Sequence, residues 1–331
     1  MEEAALDELF GSVRTAVRLT AAPAPELAVL APAPLLTVTI EGRAEHHELH
    51  VHVGGQGYWI ARLASELGAD VSVCVTVGGE TGAIVAGLLN QATFTVRSID
   101  VSGANGSYVH DRRGGSRRVV FDAVPEPLDR HEADDLFGAA LGAATRCGTL
   151  VLAGVPTPGL LPDGFYRRLA ADARAAEVHV VADASGDTLR DVLAGGIDVV
   201  KVSDDELRES GYLADENADG AAVIQAMAEL HDAGAESVVV TRATAGALVW
   251  ADGNVVEVVA PTVEVLEGAG AGDSLTATLA VTLASGGTVM DGVRLGSAAA
   301  ALNVTRHGLG SGRREDIEAF AERVTVREMD R

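Results

Sequence analysis

Between residues 27 and 121, short apolar runs alternate with polar positions in steps of two, the period of a half-buried strand. Strands are predicted at 28–30, 36–40, 49–53, 71–77, 96–101 and 117–121, with helices only at 58–67 and 82–89. After residue 130 the texture changes. Continuous apolar runs at 150–153, 178–182, 199–202 and 238–241 are separated by stretches of helical period. That is the pattern of a mostly parallel sheet with helices on both faces. Residues 272 to about 324 read as consecutive helices. Upstream, residues 2–18 have helical period, and the Ala/Pro-rich stretch 21–26 reads as a linker. The chain therefore divides into an extension over 1–26, an α/β domain over 27–325 and a tail over 326–331.

The strands within 36–53 and 96–121 are too hydrophilic for the middle of a sheet buried on both faces. They predict a small projecting sheet that acts as a lid. A lid suits a reaction from which water has to be kept out.

Composition narrows the function classes. The 331 residues can bury a full core without covalent staples. The two cysteines, Cys74 and Cys147, lie in apolar runs and make no disulfide framework, which points to a reducing compartment. The first ten residues are acidic where a secretory signal is basic, and no apolar run is long enough to cross a bilayer. A cytoplasmic location with no membrane partner is expected. Forty-eight acidic residues against 25 basic ones give a formal charge of −23, which disfavours nucleic acid as a partner. An anionic ligand then needs a local cation or backbone-amide site.

Such a site is offered by Glu267-Gly268-Ala269-Gly270-Ala271-Gly272-Asp273-Ser274-Leu275, followed at once by a helical run over 276–284. Small residues permit a tight turn whose amides face an anion at a helix N-terminus. Asp273 falls one residue inside that helix, placed to take a proton from an attacking hydroxyl. A glycine-rich cap whose Asp serves the helix dipole fits the same residues. The turn is neither a Walker A loop, since no Gly-Lys-Ser/Thr follows, nor an early dinucleotide fingerprint.

Five segments, in order, resemble the PfkB branch of the ribokinase-like carbohydrate kinases, in particular the 1-phosphofructokinase and tagatose-6-phosphate kinase group. They are Gly54-Gly55-Gln56-Gly57, Ala182-Asp183-Ala184-Ser185-Gly186, Lys201-Val202-Ser203-Asp204-Asp205-Glu206-Leu207, Val240-Thr241-Arg242-Ala243-Thr244-Ala245-Gly246-Ala247 and the 270–273 turn. The resemblance runs from about Leu27 to Val324. It implies a ribokinase-like three-layer αβα sandwich with a β-sheet lid. It also implies ATP-dependent phosphoryl transfer to a hydroxyl of a small polar acceptor, a sugar or sugar derivative.

In that light Asp273 is the base, and Gly270, Ala271 and Gly272 form the anion hole. Lys201, Ser203, Glu206, Thr241, Ala243 and Gly246 lie along ATP. Glu206 helps to organise Mg²⁺ through water; a helix-capping role with Ser203 is the alternative. Gly54, Gly55, Gln56, Gly57 and Trp59 face the acceptor. Lid strands of the family often pair between subunits, so a homodimer is expected.

The substrate side departs from the resemblance. Leu35 stands where the family has an Asp, Gln56 where the phosphofructokinase-type turn has Lys, and Trp59 where it has Asn. No Arg occurs in Ala104-Asn105-Gly106-Ser107-Tyr108. The expected acceptor therefore differs from fructose 1- or 6-phosphate and is unphosphorylated or partly aromatic, unless Arg112, Arg113, Arg117 or Arg118 of the lid hairpin point inward. The cluster His46-His47-Glu48-Leu49-His50-Val51-His52 reads as exposed lid residues, as acceptor contacts, or as metal ligands lacking a fixed third partner. A nucleoside kinase of the same fold and a non-catalytic ligand-binding relative are the competing functions. An oxidoreductase lacks its early glycine fingerprint.

Overall fold

The computed structural model describes residues 23–42, 46–155, 157–214, 219–266, 268–305 and 312–329. The helix expected over 2–18, most of the 1–26 extension, Glu267 and residues 330–331 lie outside them.

The main sheet grows in two directions from β1 (Glu26–Ala31). The chain first moves to β4 (Asp70–Val77) and β5 (Thr95–Asp100) on one side. It then returns to the other side of β1 through β8 (Thr149–Ala153), β9 (His179–Asp183), β10 (Ile197–Ser203) and β11 (Ala235–Thr241), all parallel. Strands β12 (Ala247–Ala251), β13 (Asn254–Val259) and β14 (Thr325–Glu328) close that side antiparallel. Winding reverses between β1 and β8. In open α/β sheets the crevice beyond the carboxyl ends of the strands at such a reversal is where ligands bind.

Successive side chains of one strand enter opposite cores. Leu27 and Val29 pack with Ile60 of α1 (Gln56–Glu66), Leu275 of α8 (Ala271–Ala284), Val293 of α9 (Val289–Val304) and Ile317 of α10 (Arg314–Ala321). Ala28 and Leu30 face Leu136 of α3 (Arg130–Cys147), Leu169 of α4 (Phe165–Ala175), Leu189 of α5 (Gly186–Gly195) and Met227 of α7 (Gly220–Asp232). The result is the three-layer sandwich expected from the sequence.

The lid is a four-stranded sheet in the order β3 (His47–Gly54), β2 (Leu35–Gly42), β6 (Ser107–Asp111), β7 (Arg118–Ala123). Its base, Leu36 and Val53, enters the core above α2 (Gly79–Leu89) and Val85.

Two sequence expectations are corrected here. The strand over 95–100 is not part of the lid: it pairs with β4 at the edge of the main sheet, where Arg97 donates to Ser72 Oγ at 2.9 Å. Its hydrophilicity reflects an exposed edge rather than a projection. The tail assigned from 326 onward begins inside a strand, because Val326 pairs with Val258 of β13. Among the described residues no helix is long and apolar enough to cross a membrane, and both cysteines are free thiols.

Candidate active site

Helix α8 begins at Ala271, one residue before the helical stretch read from 272, so Asp273 is its third residue. Gly270 caps it in the left-handed region, φ 76°, which glycine adopts without steric cost. Its carbonyl accepts from Ser274 N at 3.0 Å and from Ser274 Oγ at 2.8 Å. The N–H groups of Ala271, Gly272 and Asp273 precede the first intrahelical bond and are available to an anion. Asn303 of α9 secures the turn by donating to Ala269 O at 2.9 Å.

Behind the turn lies a buried charge network. Lys201 and Asp183 are paired residues on β10 and β9, and Lys201 Nζ donates to the two Asp183 oxygens at 3.0 and 3.2 Å. Thr276 of α8 donates to Asp183 Oδ2 at 2.6 Å, tying sheet to helix. A Cβ on Gly272 would come within 2.6 Å of Lys201 Nζ, so the absence of a side chain there admits the ammonium.

Loss of hydration pushes the Asp273 carboxyl up to about 7, with repulsion from Asp183 and Glu206 adding to the rise and Lys201 opposing it. For Lys201, burial acts downward, but the carboxylates of Asp183, Glu206 and Asp273 outweigh it and the net shift is upward. A base that titrates near neutrality beside a permanent cation is suited to proton abstraction.

A cleft of about 290 Å³ opens at the carboxyl ends of β1 and β8. Gly55, Gln56 and Gly57 line it, as do Tyr58, Asp183 and Glu206. Gln56 Oε1 accepts from Gly154 N at 2.8 Å, joining the turn before α1 to the end of β8. Gly54 and Trp59, also expected to face the acceptor, do not line the cleft. Gly54 completes β3 against Thr37. Trp59 is buried against Tyr58 and His52, at 5.1 and 5.6 Å between ring centroids. Helical period turns Trp59 inward when its neighbour Tyr58 turns outward.

Residues expected along ATP lie at the carboxyl ends of neighbouring strands. Ser203 and Thr241 are paired at the ends of β10 and β11. Ser203 caps α6 (Asp204–Glu209) in a complete capping box: Glu206 N donates to Ser203 Oγ at 3.1 Å, and Glu206 Oε2 accepts from Ser203 N and Oγ at 2.7 and 2.8 Å. Ala243 adopts φ 45°, a left-handed value that costs a non-glycine residue ~1 kcal/mol or more. A glycine at 243 would adopt this conformation without that cost.

The histidines separate. His46 and His50 lie near Glu48 at 3.1 and 3.4 Å, whereas His52 is half-enclosed beside Trp59 and shifted downward by burial and by Arg117. Among the described residues no three His, Cys, Asp or Glu side chains form a metal cage. Two residues the sequence reading left without a role stand out, Asp183 and Thr276. The signal for the first was a lone carboxylate closing an apolar strand; Thr276 offered none.

The pfkB family carbohydrate kinase model matches residues 36–316. ATP-dependent 6-phosphofructokinase isozyme 2 of Mycobacterium tuberculosis is 29% identical over 271 residues, 81% of this chain and 79% of that protein. The 1-phosphofructokinase of Vibrio cholerae is 28% identical over 292 residues, 83% and 86% of the two. The crystal structure of phosphofructokinase-2 from Escherichia coli in complex with potassium superposes with a TM-score of 0.78 at 25% identity, covering 90% of this chain and 98% of that one. The chain belongs to the pfkB family of carbohydrate kinases.

Proposed function

We propose that this enzyme transfers the γ-phosphoryl group of ATP to a hydroxyl of a carbohydrate-like acceptor held in the cleft, with Asp273 as base. The observation that carries this reading is a carboxyl titrating near 7 at the amide-rich start of α8, beside Lys201. Asp273 takes the proton as the acceptor oxygen attacks phosphorus. A P–O bond forms to the acceptor as the bond to ADP breaks, and the amides of the 270–272 turn hold the charge on the transferring group. Thr241, Ala243 and Gly246 border the nucleotide. Glu206 suits a water-mediated role toward Mg²⁺, since it lines the cleft and only its Oε2 is engaged in the cap. When bound, Mg²⁺ would offset the phosphate charge. The two free thiols accord with a cytoplasmic enzyme.

ATP turnover across a panel of sugars, sugar phosphates and nucleosides tests the reading. Asp273→Asn should leave ATP binding nearly intact and lower kcat by ~10²–10⁴, the usual contribution of a positioned base. Undiminished turnover in that variant would remove Asp273 from the role.

A further inference from the structure

Ala33, Pro34, Leu35, Tyr58, Ala153 and Val155 are among the residues that line the cleft, and the charged residues that line it, Asp183 and Glu206, are both acidic. The adjacent cation, Lys201, is committed to Asp183 at 3.0 and 3.2 Å. None of the four hairpin arginines lines the cleft. Arg113 and Arg118 hold Asp111 at 2.8 and 3.2 Å, and Arg117 lies over the Tyr108 ring at 5.2 Å.

Nor does position 106, at the lid's base beside Leu35, have room for a side chain. A Cβ on Gly106 would stand 2.7 Å from Leu35 Cδ2 and 2.8 Å from Ala123 O. Leu35 and Gly106 are thus a matched pair, with the leucine closing the volume that the glycine leaves.

A phosphate dianion taken into this cleft would lose its water, gain no uncommitted cationic partner and approach Glu206 beside the mutually neutralised Lys201–Asp183 pair. Apolar surface has the opposite balance, since Leu35, Tyr58 and Val155 gain by covering it. A polar handle remains in Gln56: its Oε1 is held by Gly154 N, so its NH₂ is the end that can donate to a hydroxyl.

We propose that the acceptor is an uncharged molecule that carries an apolar or aromatic group beside its reactive hydroxyl, and that phosphorylated sugars are excluded. This rests on the phosphotransfer reading for the reaction, but the binding preference is separable from it.

Calorimetry on the full chain, with a non-hydrolysable ATP analogue filling the nucleotide site, compares adenosine and phenyl β-glucoside with fructose 1-phosphate and fructose 6-phosphate. The expected result is at least ~30-fold tighter binding of one of the neutral aromatic probes, about 2 kcal/mol. Leu35→Asp should weaken binding of the neutral aromatic probe by about tenfold or more while leaving affinity for the ATP analogue unchanged, and Leu35→Met should retain it. Equal or tighter binding of either sugar phosphate overturns the proposal, as does failure of all four probes to bind. Tight binding of a neutral probe without ATP-dependent phosphorylation of any acceptor would instead count against the kinase reading and leave the cleft preference standing.

Discussion

Protonation of Asp273 bears on rate and stability in opposite senses. With its carboxyl at about 7, Asp273 can serve in its proposed role as base only when ionised, so kcat/KM should fall as pH drops through that value. A profile flat from pH 8 to pH 5.5 would contradict this. For stability, the folded carboxyl binds a proton more tightly than the unfolded one, whose ordinary value is 3.8. The native state therefore loses stability as pH rises from about 4 to about 7, and the penalty is complete above that window. A shift of this size is worth ~4 kcal/mol for an enclosed group and about half as much where solvent has partial access, as at Asp273. Asp273→Asn should accordingly match the parent near pH 4 and exceed it in denaturant stability by ~2 kcal/mol near pH 8. The position of this carboxylate in the first turn of a helix was legible because a run of small residues before a helix is a local signal. The partners that set its titration come from β9 and β10, and only folding brings them together.

At the scale of elements, Asn105 fixes how the lid leaves the main sheet. Its side chain accepts from Gly78 N at 2.8 Å and donates to Pro34 O and Thr76 O at 3.0 Å each. Those three bonds hold the end of β4 and the cleft segment before β2 in fixed relation. Asn105→Ala strands three buried backbone groups, and urea titration should show a loss of about 2–4 kcal/mol. Acceptor KM should rise while ATP KM does not; equal changes in both would point to a general loosening.

The central parallel strands were legible because burial on both faces writes unbroken Val/Leu/Ala runs. Strand β6 was not, because its buried residues include Ser107, His110 and Asp111, whose polarity is met by neighbours: His110 bonds Thr39 Oγ1, and Asp111 pairs with Arg113. The hairpin β12–β13 was also missed, although Asp252-Gly253 marks its turn.

At the scale of the molecule, the lid presents an apolar row across all four strands, Val51, Val38, Val109 and Phe121 in register. Its outer members, Val51 and Phe121, are open to solvent, as is Leu49. We infer that two copies pair through this face. Sedimentation should show a dimer, and Phe121→Glu should shift it to monomer; an unchanged mass would relocate the interface.

Strand β2 then answers to two molecules at once. Leu35 lines the cleft, and Val38, three residues on, belongs to the apolar row inferred to meet the second copy. Dilution would act on such an enzyme much as an inhibitor does, so specific activity measured at nanomolar protein should fall below that at micromolar and recover on concentration.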